Sequence, residues 1–294
     1  MNWQEMTDKI KILLDAKTNG ATAYDYWRAL SQFDFKDKPD LQHIVECTLA
    51  WRQLGISNST ILHRYAAVKW IFKHFPREFD PIDVQEMVLF MSGVKKDERE
   101  MVFATREEAE FIISRADARV ALIIGMAYYA GLRLGEIAQS KVSHWQKDST
   151  TGSLSLLVPS GDGERTKNGK TRRIPVLPQL AALFHTYIKT VRRKQLKAFP
   201  DTRIDALFLN NRKQIGAITK RRLGMLIENA CVECGLPHLH PHSFRHGLAT
   251  KLARETGDIK LVKEVLGHRS IQSTLRYIHL SQKEIADNMQ AAFD

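Results

Sequence analysis

"PHLHPHSFRHGLAT", residues 237–250, places His238, His240, His242 and His246 close together, with Arg245 among them. Such a cluster suits a metal site, a packed helix start, or a group of cations that handles phosphate. Metal binding draws some support from "CVECGLPHLH" (231–240), where Cys231 and Cys234 precede His238. That spacing matches no recognised zinc pattern. "ENACVECG" (228–235) also reads as the last turns of an amphipathic helix closed by Gly235. A third consideration starts at Pro241, since proline suits the first turn of a helix. A helix from Pro241 puts His242 and Arg245 three residues apart on one face, aiming an imidazole and a guanidinium at one spot. His246, one step round, is expected to pack or to cap.

Outward from this stretch, charge gives the next constraint. The 294 residues carry 44 Lys+Arg against 33 Asp+Glu, a net charge of +11. Residues 1–100 hold 14 against 15, and residues 101–294 hold 30 against 18, so the excess belongs to the last two thirds. A polyanion such as nucleic acid is the usual partner of such a surface, although a solvated basic face looks the same in composition. The apolar fraction of 44% is enough for real cores. The longest apolar run, "VALIIGMAYYAGL" (120–132), is interrupted by glycine and ends at Arg133, too short to span a bilayer. "MNWQEMTDKIKILL" is charged throughout and does not resemble a signal peptide. Three cysteines make no disulfide framework. These features predict a soluble intracellular protein with no membrane partner, located in the cytoplasm and nucleoid-associated if the source is prokaryotic.

Two segments of different character meet at "SGVKKDEREMVFAT" (92–105), which reads as a linker. The expected division is a helical domain at 1–95, a linker at 96–104 and a second domain at 105–294. In the first, "SNSTILHRYAAVKWIFKHF" (57–75) sets Ile61, Tyr65, Val68, Phe72 and Phe75 on one apolar face, with Arg64, Lys69 and Lys73 off it. Those three cations form either a wet side or a face for DNA. "DLQHIVECTLAWRQLG" (40–55) is a second helix, and no strand signal occurs in the first 90 residues. In the second domain, "TREEAEFIISRA" opens with a capping box from Thr105 to Glu108. "RVALIIGMAYYAG" (119–131) is apolar nearly all round and reads as a buried helix. "LSLLVPS" (154–160) and "TRRIPVL" (171–177) read as two short strands, joined by a polar hairpin with Asn168-Gly169 as its turn signal. Helices dominate from there onward.

More residues with chemical potential lie at helix ends and loops: Arg133 after the Gly131 break, Lys167 in the hairpin, His268 after Gly267, and Tyr277 in the last amphipathic segment. Taken singly, each has a plainer reading as a surface, capping or core residue. Together they carry a resemblance. "YYAGLRLGEIAQS" (128–140), "TKNGKTRRIPV" (166–176), "HSFRH" (242–246), "LGHRS" (266–270) and "STLRYIHL" (273–280), in that order, resemble the catalytic domain of the tyrosine recombinases, or phage integrase family, over roughly residues 102–285. The resemblance implies a mainly α fold, with an N-terminal helical core-binding domain and a mostly helical catalytic domain carrying a small antiparallel sheet. It makes Arg133 the first catalytic arginine and Glu136 its acidic neighbour. Lys167 becomes the hairpin lysine, with Lys170 a rival. His242 and Arg245 become the His-x-x-Arg pair, His268 the second histidine and Tyr277 the nucleophile. Phe244 stands where the family more often has leucine. Lys170 and Arg172, with Arg64, Lys69 and Lys73, are expected to contact DNA.

The residue types fit that chemistry. Two guanidiniums can clamp the non-bridging oxygens of a phosphodiester as charge builds on them. Tyrosine, with a pKa of about 10, needs a proton acceptor as it attacks, for which His242 is the candidate. The leaving 5′ oxygen needs a proton, which the hairpin lysine can supply. Glu136 is expected to orient Arg245 or His242. The implied activity is site-specific cleavage and rejoining of double-stranded DNA through a 3′-phosphotyrosine, without metal, ATP or other cofactor. It implies a homotetramer on DNA with the C-terminal helix docked in trans, and DNA-bending or directionality factors as accessory partners. A type IB topoisomerase-like or hairpin-forming enzyme would use the same groups, and a regulator without catalysis would keep only the DNA binding. No arm-binding domain of the kind large phage integrases carry is evident, and the size is similar to Xer-type, integron and simple mobile-element integrases.

Overall fold

The computed structural model describes residues 1–18, 20–97, 101–149, 152–159, 171–198, 204–210, 216–267, 274 and 277. The chain divides into two compact units, Met1–Glu100 and Met101–Asp294.

Among its described residues the first unit holds five α-helices: α1 (Trp3–Lys17), α2 (Gly20–Ser31), α3 (Leu41–Gln53), α4 (Asn58–His74) and α5 (Pro81–Ser92). Their starts follow from short polar residues. Asn2, Asp40, Ser57 and Asp80 each cap a helix by accepting a hydrogen bond from a backbone N–H of its first turn. The apolar face read on α4 is buried at all five positions, and Ala67 and Ile71 widen it. Inside, the Tyr65 and Thr48 hydroxyl oxygens lie 2.5 Å apart, so these buried polar atoms satisfy each other.

The second unit is mostly helical: α6 (Arg106–Arg115), α7 (Ala118–Tyr129), α8 (Leu134–Ala138), α9 (Pro178–Tyr187), α10 (Arg193–Lys197), α11 (Lys220–Glu233), α12 (Pro241–Thr256) and α13 (Ile259–Leu266). The capping box expected at Thr105 is present in both directions, at 2.8 and 3.2 Å. Nine of the twelve residues of α7 are buried, and the helix packs against α6, α9, α11 and α12. That central position explains its lack of a polar face. Beside it lies an antiparallel sheet in the order β1 (Trp145–Lys147), β2 (Leu154–Val158), β3 (Arg172–Pro175). Leu156 pairs with Trp145 on one side and Ile174 on the other. β1 was not expected from sequence, because three residues cannot display a two-residue period. Its Trp145 is held by stacking on Phe184, with ring centroids 4.0 Å apart.

α12 reaches the interior through a close approach. The backbone of Ala104 crosses it, donating from its N–H to the Ser243 carbonyl at 2.9 Å. At Gly247 an added Cβ would lie 2.1 Å from the Ala104 carbonyl oxygen. Backbone cannot yield there as a side-chain tip would. Gly247→Ala is therefore expected to destabilise the protein by about 1–3 kcal/mol, the usual cost of overpacking. Chemical denaturation would show a lower midpoint, and an unchanged midpoint would refute the close approach.

Candidate active site

The site is built where the turns after α7 and α13 meet the start of α12. Pro241 occupies the first turn of that helix, as its sequence suggests. The His240 N–H donates to Ser243 Oγ at 3.2 Å and fixes the entry. From this start Arg245 goes to the floor at 3% exposure, while His242 stays exposed at the rim. Arg245 is held by carbonyls at two helix ends. One Nη donates to the Gly131 carbonyl just after α7, and the other donates to the Leu266 carbonyl, the last residue of α13, at 2.8 Å. Both oxygens lie at the negative ends of their helices, which suits a cation. Gly131 makes the first turn possible with φ of +62°.

Arg133 is the N-cap residue of the short α8, and Glu136 sits three positions further on. The Glu136 carboxylate therefore folds back to accept the Arg133 N–H at 2.8 Å. It also accepts Arg133 Nη1 at 3.2 Å, and Arg245 Nη1 stands 3.9 Å away. A third guanidinium arrives from β3: Arg172 binds both carboxylate oxygens, at 2.8 and 2.9 Å. One carboxylate, 4% exposed, thus lies among three guanidiniums. Burial pushes the Glu136 carboxyl up, but the hydrogen bonds and charge of Arg172 and Arg133 outweigh it and hold the group below the ordinary carboxylate range. Arg245 is pushed down to about 9, by burial first and then by the positive charge of Arg133. The cluster is short of negative charge, which is the condition of an anion site.

Tyr277 is 5% exposed and packs with Ala249, Val262 and Leu266. Its hydroxyl and His246 Nδ1 are 2.7 Å apart. The expectation that His246 merely packs or caps is corrected by this contact, and it is His246 that reaches the hydroxyl for which His242 was the candidate acceptor. The rings of His242 and His246 lie 6.2 Å apart. Protein mass around the His242 ring, then the charges of His240, Arg245, Lys220 and Arg133, hold its pKa below the usual imidazole value.

Other expected residues are dispersed or not described. Lys167, Lys170 and His268 lie outside the described residues. In the first unit, Arg64 is half-buried with its guanidinium carbon 4.2 Å from the Trp51 ring centroid. Lys69 donates to Ser92 Oγ at 3.3 Å, and Lys73 is exposed in the last turn of α4. Arg172, expected on a DNA-facing surface, instead commits both Nη atoms to Glu136. The alternation of β3 carried that signal, since Arg172 shares its face with buried Ile174. Among the described residues no group of three His, Cys, Asp or Glu side chains is placed to share a metal ion. Cys231 is buried in the core, where burial pushes its thiol up to about 11.

Comparison with known proteins agrees with this geometry. Residues 93–284 match the phage integrase family. Tyrosine recombinase XerC of Bacillus pumilus is 30% identical over 79% of this chain and 73% of its own length. Tyrosine recombinase XerC of Natranaerobius thermophilus is 26% identical over 96% of both chains. Among solved structures, the Tn1549 transposon integrase in complex with transposon right end DNA superposes with a TM-score of 0.76, at 20% identity over the full length of both chains. A lambda integrase dimer bound to a core site gives 0.69 at 14% identity, over 94% of this chain and 95% of that one. The mainly helical fold with a small antiparallel sheet is theirs as well. With the match covering well over half of its length, the chain belongs to the phage integrase family, the tyrosine-type site-specific recombinases.

Proposed function

We propose that this protein cuts and rejoins double-stranded DNA through a covalent link between Tyr277 and a 3′ phosphate. The observation that carries the reading is the excess of guanidinium over carboxylate around Glu136, in the same unit as a phenol bonded to an imidazole. Arg133, with its side chain 37% exposed, and buried Arg245 bind the non-bridging oxygens of the scissile phosphate. Tyr277 Oη attacks phosphorus as its proton passes to His246 Nδ1. The P–O5′ bond breaks, and the leaving oxygen takes a proton from Lys167 or Lys170. His242, neutral at pH 7, donates a ring N–H to a phosphate oxygen, and His268 supports the same phosphate. The phosphotyrosyl bond conserves the energy of the one it replaced, so a second 5′ hydroxyl reverses the steps with no nucleotide cofactor or metal. Glu136 touches none of the reacting atoms and orients the arginines.

DNA as the partner is supported by the solved complexes of similar fold and by the basic balance of residues 101–294. Arg64, Lys69 and Lys73 supply backbone contacts from the first unit, and Lys170 from the second. Exchange of strands between two sites calls for four active sites, so the working assembly is a homotetramer on DNA. Docking in trans falls to residues 278–294, which lie outside the described residues. DNA-bending or directionality factors would act on that assembly. The protein works in the cytoplasm, on the nucleoid of a prokaryotic source. No helix among the described residues is long and apolar enough to cross a membrane.

Covalent capture tests the reading. The protein is incubated with genomic DNA of its source or a randomised duplex pool, denatured, and the attached DNA sequenced. Attachment is expected for the native chain and is abolished by Tyr277→Phe. Binding without attachment in either would favour a non-catalytic regulator, and attachment by a monomer with relaxation of supercoils would favour a topoisomerase.

The two histidines separate by their substitutions. His246→Ala is expected to slow attachment by about 100-fold, within the usual range for loss of a general base. His246→Asn, which keeps a polar atom near the Nδ1 position, is expected to hold Tyr277 yet not take its proton, so it should be nearly as slow. Full activity in His246→Asn would remove the proton-acceptor role.

His242 also makes stability depend on pH. Its folded pKa lies below its unfolded value of about 6.5, so as pH falls past that value the unfolded chain binds protons first and the native state loses stability. His242→Gln is expected to lessen the fall in thermal midpoint between about pH 7 and 5. An identical fall in both proteins would contradict the depressed pKa.

A further inference from the structure

Arg172 touches two of the groups that fix the arginines of the clamp, Glu136 and the turn at Gly267. It is the first residue of β3, opposite Val158 in the register, and the strand turns it inward with Ile174. Its two Nη atoms occupy both oxygens of Glu136. Its side chain also lies against Gly267, the C-cap of α13. A Cβ on that glycine would stand 2.7 Å from Arg172 Nη1, 3.1 Å from Cζ and 3.2 Å from Cδ. Gly267 follows Leu266, whose carbonyl holds Arg245. Among the described residues the buried Arg172 Nε has no hydrogen-bond partner, so there the side chain gives up a donor to lie in that place.

The consequence for Arg133 follows from the valence of one carboxylate. The Arg172 fork and the Arg133 N–H take three of the roughly four acceptor sites of Glu136, which leaves one for the Arg133 side chain, bonded at 3.2 Å. Remove Arg172, and Glu136 is free to take Arg133 in a two-pronged pair, drawing that guanidinium away from the phosphate. Arg245 would lose the side chain that backs the turn at Gly267. We propose that Arg172 is a positioning residue for phosphodiester cleavage. It acts through Glu136 and the Gly267 turn to keep Arg133 and Arg245 available to the scissile phosphate, and it does not bind DNA itself. This rests on the reading of Arg133 and Arg245 as the phosphate clamp.

The test uses the full-length protein and a nicked duplex carrying the sequence recovered by covalent capture. The scissile position is either a normal phosphate or a methylphosphonate, which lacks the negative charge that the clamp neutralises. Affinity, its salt slope and the single-turnover rate of tyrosine attachment are measured for Arg172→Gln and Arg172→Lys. Arg133→Ala and Arg245→Ala serve as controls. On the normal phosphate, Arg172→Gln is expected to attach about 100-fold more slowly, as for a misplaced catalytic group. Affinity should stay within about twofold and the salt slope unchanged, since no phosphate contact is lost. On the methylphosphonate the deficit should shrink to a few-fold, in parallel with the controls. Arg172→Lys keeps the charge without the fork and should fall between Gln and native.

An affinity loss with a salt slope lower by about one, and an attachment rate unaltered once bound, would make Arg172 a DNA contact and overturn the proposal. An equal deficit on both substrates with a lowered thermal midpoint would make it a structural residue and overturn it too. Should Arg172→Gln fail to fold, Arg172→Lys and Gly267→Ala decide by the same comparison, because the added methyl group pushes on the Arg172 guanidinium. Controls that show no rescue on the methylphosphonate would instead defeat the clamp reading itself.

Discussion

A single buried carboxylate surrounded by three guanidiniums organises the second unit. Glu136 joins α8, which carries Arg133, to β3, which carries Arg172, and stands 3.9 Å from the arginine of α12. Elements far apart in sequence thereby converge on one point. Burying ions is costly unless they are paired and fully hydrogen-bonded, and here the pairing is incomplete by design of the sequence. With one negative charge for three positive ones, the cluster carries an excess of positive charge. In the reading proposed above, a phosphodiester would offset part of this excess, so the same imbalance that penalises the free protein would favour its substrate.

The surrounding fold can be understood as a holder for that cluster. α7 is buried on almost every side and delivers the Gly131 turn at its C-terminus. α12 is admitted close to Ala104 only because residue 247 has no side chain. α13 ends at Leu266, whose carbonyl completes the grip on Arg245. Helix ends, rather than side chains alone, supply the acceptors that aim this guanidinium. Backbone acceptors of this kind cannot be removed by substitution, which makes the arrangement robust to drift elsewhere in the loops.

Much of the architecture was legible in the sequence because its signals are local. The spacing of apolar residues announced α4, a capping box announced α6, the apolar run 119–131 announced a buried helix, and Pro241 announced the start of α12. What escaped was decided by tertiary contact. β1 is three residues long and exists because β2 offers it a partner. Arg172 reads as one more cation in a basic hairpin, and only the inward phase of a four-residue strand, too short to trust in advance, sends it to Glu136. His246 reads as a helix residue beside the one that matters, and its contact with Tyr277 spans 31 positions that no short motif covers.

The resting place of Tyr277 has a consequence for fidelity. A phenol 5% exposed, packed with Ala249, Val262 and Leu266 and bonded to His246, is withheld from the solvent through which random DNA arrives. In the reaction proposed above, a phosphodiester meets this hydroxyl only once that packing opens. Cleavage would then depend on how often the phenol is uncovered as well as on its strength as a nucleophile. A nucleophile kept under cover in this way would spare most of the DNA the protein meets, whatever its sequence.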